Sequence, residues 1–513
     1  MNLTPVIGLE IHIQLKTKSK MFCRCDNSGE DKPANTTICP ICLGHPGVLP
    51  VANKQAIEWT IMTGLALNCE IPQTWRFERK NYFYPDLPKG YQITSSTNPP
   101  CRGGFLAIVS DGKKRQIRLN HIHLEEDAAK NFHSVDGQYT LVDYNRASTP
   151  LMEIVTEADL RSPQEAKTFL QALRLLARYL GISEADMEKG HLRCDANISL
   201  TDQIDASGEV LKFYPKTEIK NLNSFRSVER ALTYEIKRQN QLWQEGQKST
   251  QATRGWDENK GVTEEQRAKE EAHDYRYFPE PDLPPINLGK EDSGIDLEKI
   301  KQSMPELPQA KHLRFMAEFG LTAENAKVLT DDKGLASFFE ETISELRAWL
   351  IALGETEGTE EEIWEKGKAK LAKLTSNWLV NKLLGIAAKE GRTIFNDDSN
   401  INPENFAEFI TIVYQNKINS TLAQKLLEIM YQTGQDPSVI MTEEDLTSHQ
   451  TGQAVEEIID QVIKNSPDQV KQFQNGKETI IQYFIGQVMA TTKGQANPQE
   501  IKEVLINKLK KNE

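Results

Sequence analysis

The stretch Ile7-Gly8-Leu9-Glu10-Ile11-His12-Ile13-Gln14-Leu15 alternates apolar and polar residues without a break. A period of two belongs to an extended strand. It sends Leu9, Ile11, Ile13 and Leu15 into a core and Glu10, His12 and Gln14 to the opposite side. That polar side meets either water or a ligand.

The pattern returns along the chain. His191 to Leu200 sets Leu192, Cys194, Ala196, Ile198 and Leu200 against His191, Arg193, Asp195, Asn197 and Ser199. In His121 to Asp127, His123 and Glu125 share a side. Leu151 to Val155 carries Glu153 alone among apolar residues, and Lys216 to Asn221 adds Glu218 and Lys220. A single such face is ordinarily solvated. Several faces holding His, Asp, Asn and Arg beside Glu read as a platform for hard cations and phosphate. Carboxylate oxygens take divalent ions, and Arg or Lys neutralises phosphoryl oxygens.

Strands arriving in blocks favour a largely antiparallel sheet. One clear helix interrupts them, with Ser162 as cap, Pro163 and Glu165 in the first turn, an apolar stripe from Ala166 to Leu180, and Gly181 as terminator. A second is expected from about Phe225 to Gln239, behind Ser224. The segment Phe278-Pro279-Glu280-Pro281-Asp282-Leu283-Pro284-Pro285 excludes helix and central strand and makes a stiff exit. Beyond it, helices are expected over Leu335 to Leu353, Ile363 to Leu374 and Trp378 to Ala388. After a polar break at 396–400, more follow at Thr421 to Met430 and Glu478 to Met489. A chain of 513 residues exceeds one ordinary core. The fold class is therefore α+β multidomain, with a sheet domain over 1–290 and two all-α domains over 291–400 and 401–513.

Cys23 and Cys25, then Cys39 and Cys42 in Cys-Pro-Ile-Cys-Leu-Gly, form two close pairs joined by a loop. Four thiolates so spaced wrap one ion tetrahedrally, which suits zinc; neither free core cysteines nor a redox pair accounts for both pairs. A closed set of four protein ligands leaves no open position, so the role is structural. The run Arg79-Lys80-Asn81-Tyr82-Phe83-Tyr84-Pro85-Asp86-Leu87-Pro88-Lys89-Gly90-Tyr91 is an extended loop able to touch phosphate and stack on a base. Within it Lys89 and Tyr84 are candidates for nucleotide contact, as is Asn221 further on, whereas Phe83 is expected to anchor the loop to the core.

A net charge of −13 argues against a general nucleic-acid coat and confines any RNA contact to local patches. No apolar run approaches the ~20 residues that span a bilayer, and no secretory signal is visible, so a cytoplasmic protein is expected. There is no Gly-x-x-x-x-Gly-Lys-Ser/Thr cradle for ATP, and no segment carrying an amidase nucleophile.

GLEIHIQL, FCRC…CPICLGHPGVLPV, RKNYFYPDLPKGYQI, HLEEDA, LRCDANISL, KTEIKNLNSF and DYRYFPEPDLPP, together with the distal GQVMATTKGQANPQ, resemble the B subunits of aspartyl/glutamyl-tRNA amidotransferases in order and over nearly the full length. The resemblance implies a catalytic cradle of glutamine synthetase type, a helical domain and a tRNA-binding tail. It implies ATP-dependent phosphorylation of the side-chain carboxylate of a mischarged Glu-tRNA or Asp-tRNA. Amidation would follow, by ammonia channelled from a partner amidase A subunit, with a small C subunit completing a heterotrimer. By motif, magnesium falls to Glu10, His12, Glu125 and Glu126, and the ion and phosphate shell to Glu153, Asp195, Asn197 and Glu218. Phosphate or carboxylate contact falls to Lys80, Lys89, Arg146, Arg193 and Lys220. Two departures stand out: Ser148 where many relatives carry Gly, and Gln266 where Met is common. The alternative reading is a non-catalytic, zinc-stabilised tRNA-binding protein.

Overall fold

The computed structural model describes residues 3–110, 112–205, 208–247, 250–268, 274–288, 294–352, 358–390, 400–444, 446, 452–474, 477–492 and 498–511. The boundary expected between 290 and 291, the helix end at 353 and the polar break at 396–399 lie outside the described residues. The chain divides into two compact units, Met1–Leu307 and Pro308–Glu513. Among the described residues no helix is long and apolar enough to cross a membrane.

The first unit is built on one large sheet. Its strands are Thr4–Gln14 (β1), Glu78–Asn81 (β2), Tyr91–Thr94 (β3), Lys113–Glu126 (β4), Pro150–Thr156 (β5), Leu192–Thr201 (β6), Thr217–Leu222 (β7), Ala252–Asp257 (β8), Val262–Ala268 (β9) and Phe278–Pro279 (β10). Their order is β9-β8-β7-β6-β1-β5-β4-β3-β2-β10, with Cys101–Arg102 and Phe105–Ser110 also paired to β4. Pairing is antiparallel except between β7 and β8. The two-residue β10 lies on the sheet edge against β2, where the Pro279 nitrogen, lacking a hydrogen, breaks no ladder.

Alternation does in space what it does in sequence. Ile7, Leu9, Ile11 and Ile13 are fully buried, and Leu192, Cys194, Ala196 and Ile198 lie beside them from β6. Helices that pack on this apolar face include Pro163–Leu180 (α1) and Phe225–Gln244 (α2), and the helix Lys54–Ala66 adds Ala56, Ile57, Ile61 and Met62 to the same core. The Ser162 side chain accepts from the Glu165 amide, and Gly181 ends α1 in the left-handed region at φ 73°. Glu165 does not close a capping box; its carboxylate takes the Arg161 amide at 2.7 Å and Arg115 at 2.5 Å. The other face of the sheet carries the polar side chains, with Glu10 and His12 half-buried and His123, Glu125 and Glu153 buried.

The second unit is helical. Helices expected at 363–374 and 378–388 form one continuous run instead. Glu360–Trp378 passes through a π turn at Leu379–Leu383 into Leu384–Lys389. Thr375, Ser376 and Asn377 between the two apolar stripes are weak helix formers but include no Gly or Pro, and buried Thr375 donates its hydroxyl to Leu371 O at 2.9 Å within the helix, so the run is not broken there. One apolar core draws on Phe315 to Leu446 and includes the Phe338–Phe406 contact at 5.6 Å. A separate core runs from Val455 to Leu509.

Candidate functional site

Register assembles the open face. His12 stands opposite Arg193 on β6 and Glu153 on β5, and Glu153 stands opposite His123 on β4. Arg193, His12, Glu153 and His123 therefore form one row across four adjacent strands. The next row sets Glu10 opposite Asp195. Residues far apart in sequence become cross-strand neighbours because each strand keeps its phase.

At the centre, His12 Nε2 lies 3.1 Å from Glu153 Oε2 and 3.7 Å from Glu125 Oε1. His123 Nε2 reaches the same Glu153 oxygen at 3.2 Å and Glu125 Oε2 at 3.6 Å. Glu10, His12 and Glu153, and separately His123, Glu125 and Glu153, each bring ligand-type atoms within 4.8 Å of one another. A cation finds hard oxygens and imidazole nitrogens converging here, so the donor set fits a divalent ion.

The charges are mutually dependent. Burial by itself would lower His123, but Glu153 and Glu125 hold its imidazole up at about 10. Burial likewise opposes the charged form of His12, and Glu153 and Glu125 outweigh it, raising the group. Burial works against the Glu153 carboxylate too, and the two imidazoles overcome it, holding Glu153 well below the usual carboxylate range. Glu10 moves the other way, raised first by burial and then by Glu153. Two carboxylates on one face are thus driven apart by their surroundings.

Glu126 does not join this cluster. Its carboxylate takes the Lys89 ammonium at 2.6 Å and the Ile93 amide at 3.0 Å. Arg193 and Arg146 converge on Asp127 instead, at 2.6 and 3.7 Å, and Gln14 donates to the same carboxylate at 2.8 Å. Arg146 also donates to the carbonyls of Ala128 and Ala129. Asp195 pairs with Lys220 at 2.5 Å, and Glu218 lies 3.3 Å from that ammonium. Asn197 stands opposite Gly8 and Glu218. Lys80 makes no ion pair among the described residues and lies over the rings of Tyr275 and Tyr82, at 5.0 and 5.9 Å. Asn221, at φ 63°, lines a cavity of about 480 Å³ with Asn223, Ser227, Gly255, Trp256 and Gln266.

Two residues gain a place in the site that the motif resemblance does not assign them. Asp127 follows β4, where the alternation stops and no longer says which way a side chain points. His123 is legible in sequence as a neighbour of Glu125, but only register reveals that it meets Glu153. Phe83 corrects an expectation: it is 87% exposed rather than anchored in the core, and Tyr84 is 53% exposed. The tight turn from Tyr84 to Leu87 lifts this end of the loop off the sheet, while Leu87 supplies the buried anchor.

The four cysteines of the Cys23–Cys42 segment also converge, with sulfurs within 4.8 Å of one another and Cys39 to Cys42 at 3.9 Å. The Cys39 amide donates to Cys42 Sγ at 3.1 Å. Cys42 is pushed down to about 5, first by the hydrogen bond with Cys23 and further by Lys20. Lys20 is fully buried. Its ammonium lies 4.0 Å from Cys42 Sγ and 3.3 Å from the Tyr144 carbonyl, with no carboxylate partner among the described residues. A buried cation without a carboxylate needs another anion, and a thiolate cluster supplies it. The residues present fit a zinc ion.

A large mixed sheet with a carboxylate- and imidazole-bearing face, followed by helical cores, defines a multidomain α+β enzyme component. Residues 5–293 match the GatB/GatE catalytic domain, and residues 361–509 match the GatB domain. The chain is 46% identical over 505 residues to the B subunit of the aspartyl/glutamyl-tRNA(Asn/Gln) amidotransferase of Thermodesulfovibrio yellowstonii, covering 98% of this chain and 99% of the relative. It is 43% identical to the corresponding protein of Persephonella marina, covering 99% and 100%. For that of Thermotoga maritima the identity is again 43%, covering 99% of each. The chain belongs to this family of amidotransferase B subunits, enzymes of the ligase class.

Proposed function

We propose that this chain phosphorylates and then amidates the side-chain carboxylate of Glu-tRNA(Gln), Asp-tRNA(Asn) or both. The observation that carries the reading is the meeting of His12, Glu125 and Glu153 on one open sheet face beside Glu10, with Lys80, Arg193 and Lys220 around it. Such a face suits phosphoryl transfer, where catalysis is mostly positioning and charge stabilisation. The sheet domain acts as a cradle of glutamine synthetase type.

In the first step a carboxylate oxygen of the tRNA-borne side chain attacks the γ-phosphorus of ATP, and ADP leaves. In the second, ammonia attacks the acyl carbon, and phosphate leaves with the C–O electron pair and one ammonia proton. The attacking carboxylate is itself the nucleophile, so no strong general base is required in the first step. His12, Glu125 and Glu153, with Glu10 alongside, would hold magnesium, which when bound neutralises charge on the transferring phosphoryl group. Lys80 and Lys220 would supply cations to phosphoryl or carboxylate oxygens. Asp127 orients Arg193 and Arg146 toward the face, and Glu126 fixes Lys89. Asp195, Asn197 and Glu218 would complete the ion and phosphate shell, and Tyr84 and Asn221 would contact the nucleotide.

Ammonia would come from glutamine hydrolysed by a partner amidase A subunit, with a small C subunit completing a cytoplasmic heterotrimer. The four cysteines would hold a structural zinc. The chain would divide into the cradle over 1–290, a helical domain over 291–400 and a tRNA-binding tail over 401–513. The separate apolar core from Val455 to Leu509 supports an end piece within that tail, while residues such as Phe406 and Leu426 share the core of the preceding helices.

The test is the reconstituted complex with glutamine, ATP and each mischarged tRNA, scored for amide product. Amide made only with ATP supports the reading. Binding of tRNA with no ATP-dependent amide would leave a tRNA-binding protein.

A further inference from the structure

Phe83 presents a large aromatic ring to solvent at the rim of the reactive face, and the loop beneath it is pinned. The Leu87 amide donates to Tyr84 O and the Gly90 amide to Leu87 O, each at 3.0 Å. Tyr144 Oη donates to Pro85 O at 3.1 Å, and the Ala129 amide donates to Asp86 O at 3.0 Å. Gly90 has φ 75°, and a β-carbon there would lie 3.0 Å from Phe83 Cε1 and 3.3 Å from Cδ1. The ring is therefore backed by glycine backbone on one side and open on the other.

Cations stand at both ends of this loop. Lys80 is three residues before Phe83 and makes no ion pair among the described residues. Lys89, next to Gly90, is bonded to Glu126. Further rings rise from the crossing segment, where the Asn81 amide donates to Tyr275 O at 3.0 Å and Tyr82 meets Tyr275 edge-on at 6.0 Å. Tyr277 and Phe278 of that segment are 38% and 44% exposed. A held, open aromatic face among further rings and ammonium groups is how proteins receive an unpaired base, with the cations taking the adjoining phosphates. An apolar peptide would use the ring but leave Lys80, which makes no ion pair among the described residues, unmatched.

We infer that Phe83, backed by Gly90, is a stacking platform for a nucleobase at the entrance to the site. This inference rests on the proposed function, which supplies two bases: the unpaired 3′ end of the acylated tRNA and the adenine of ATP.

The experiment compares wild type, Phe83→Ala and Phe83→Trp in the reconstituted complex, measuring KM separately for mischarged tRNA and for ATP. Phe83→Ala should raise one of the two by roughly 5- to 100-fold, and Phe83→Trp should restore most of the loss. A rise for tRNA assigns the base to its 3′ end; a rise for ATP assigns it to adenine. Unchanged KM values, equal damage in both variants, or loss of co-elution with the partner subunits overturns the platform. If wild type itself makes no amide, the functional reading fails instead. Filter binding of tRNA and of ATP to wild type and Phe83→Ala then still decides the platform: weaker binding of one of them supports it, and equal binding of both overturns it.

Discussion

His12 and His123 meet one and the same oxygen, Oε2 of Glu153, at 3.1 and 3.2 Å from opposite sides. Glu153 thus joins the two imidazoles: they hold its carboxyl low, and it raises both of theirs. Glu153→Gln keeps the size and removes the charge. Amide formation should fall by about 100- to 1,000-fold, the usual cost of one preorganised electrostatic group, while tRNA binding persists. Retained activity in single-turnover assays would refute the assignment.

Asp127 gives a pH dependence. Burial opposes its charge, but Arg193 and Arg146 prevail and hold the carboxyl below its ordinary value. With the folded-state value lowered, the unfolded chain takes up the proton first as pH falls. The stabilisation is therefore fully present above about pH 4 and is lost as pH drops through the depressed value. Asp127→Asn should cost about 1–3 kcal/mol at pH 7, discounted from a fully buried pair because the Arg193 side chain is 40% exposed. Urea unfolding at pH 7 and at pH 3 should show that gap narrowing on the acid side.

The cysteine cluster predicts stoichiometry. Metal analysis should find about one zinc per chain, released when the thiols are titrated with a mercurial. Cys42→Ser should lose the ion and also leave Lys20 with a poorer partner, so it should unfold at lower urea than Cys69→Ser, whose sulfur lies outside the cluster and donates to the Gly103 carbonyl at 3.0 Å. A zinc-free, equally stable protein would refute the site.

Asn145 ties the cysteine-bearing loop to the turn that carries Arg146. Its Oδ1 accepts from the Thr36 and Thr37 amides at 2.8 and 2.9 Å, and its Nδ2 donates to Pro33 O at 2.8 Å. Asn145→Ala strands buried backbone groups and should cost about 2–4 kcal/mol in chemical denaturation.

Ser148, three residues on, sits at φ 68° with its hydroxyl buried and unbonded. Ser148→Gly removes about 1–2 kcal/mol of left-handed strain against about 0.5–1 kcal/mol of extra chain entropy. A gain of about 0.5–1 kcal/mol should register in the urea midpoint.

The sequence determined everything that depends on local periodicity and local capping. Leu9, Ile11 and Ile13 went to the core and Glu10 and His12 to the open face because a strand has no other way to sort them. Ser162 and Gly181 bounded their helix because cap geometry is local. The cysteine spacing announced a metal-type cluster for the same reason. Sequence resemblance, rather than periodicity, named the individual residues of the face. What it could not contain was register, because hydrogen bonding between β1, β5 and β4 pairs strands that lie far apart along the chain. Only register put His12 and His123 on one Glu153 oxygen and sent Glu126 to Lys89 while Glu125 stayed with the imidazoles. Tertiary packing also decided Phe83, whose ring found the glycine backbone of Gly90 and open solvent where composition alone pointed to the core. Burial and charge pairing are properties of neighbours in space, and the folded sheet chose those neighbours.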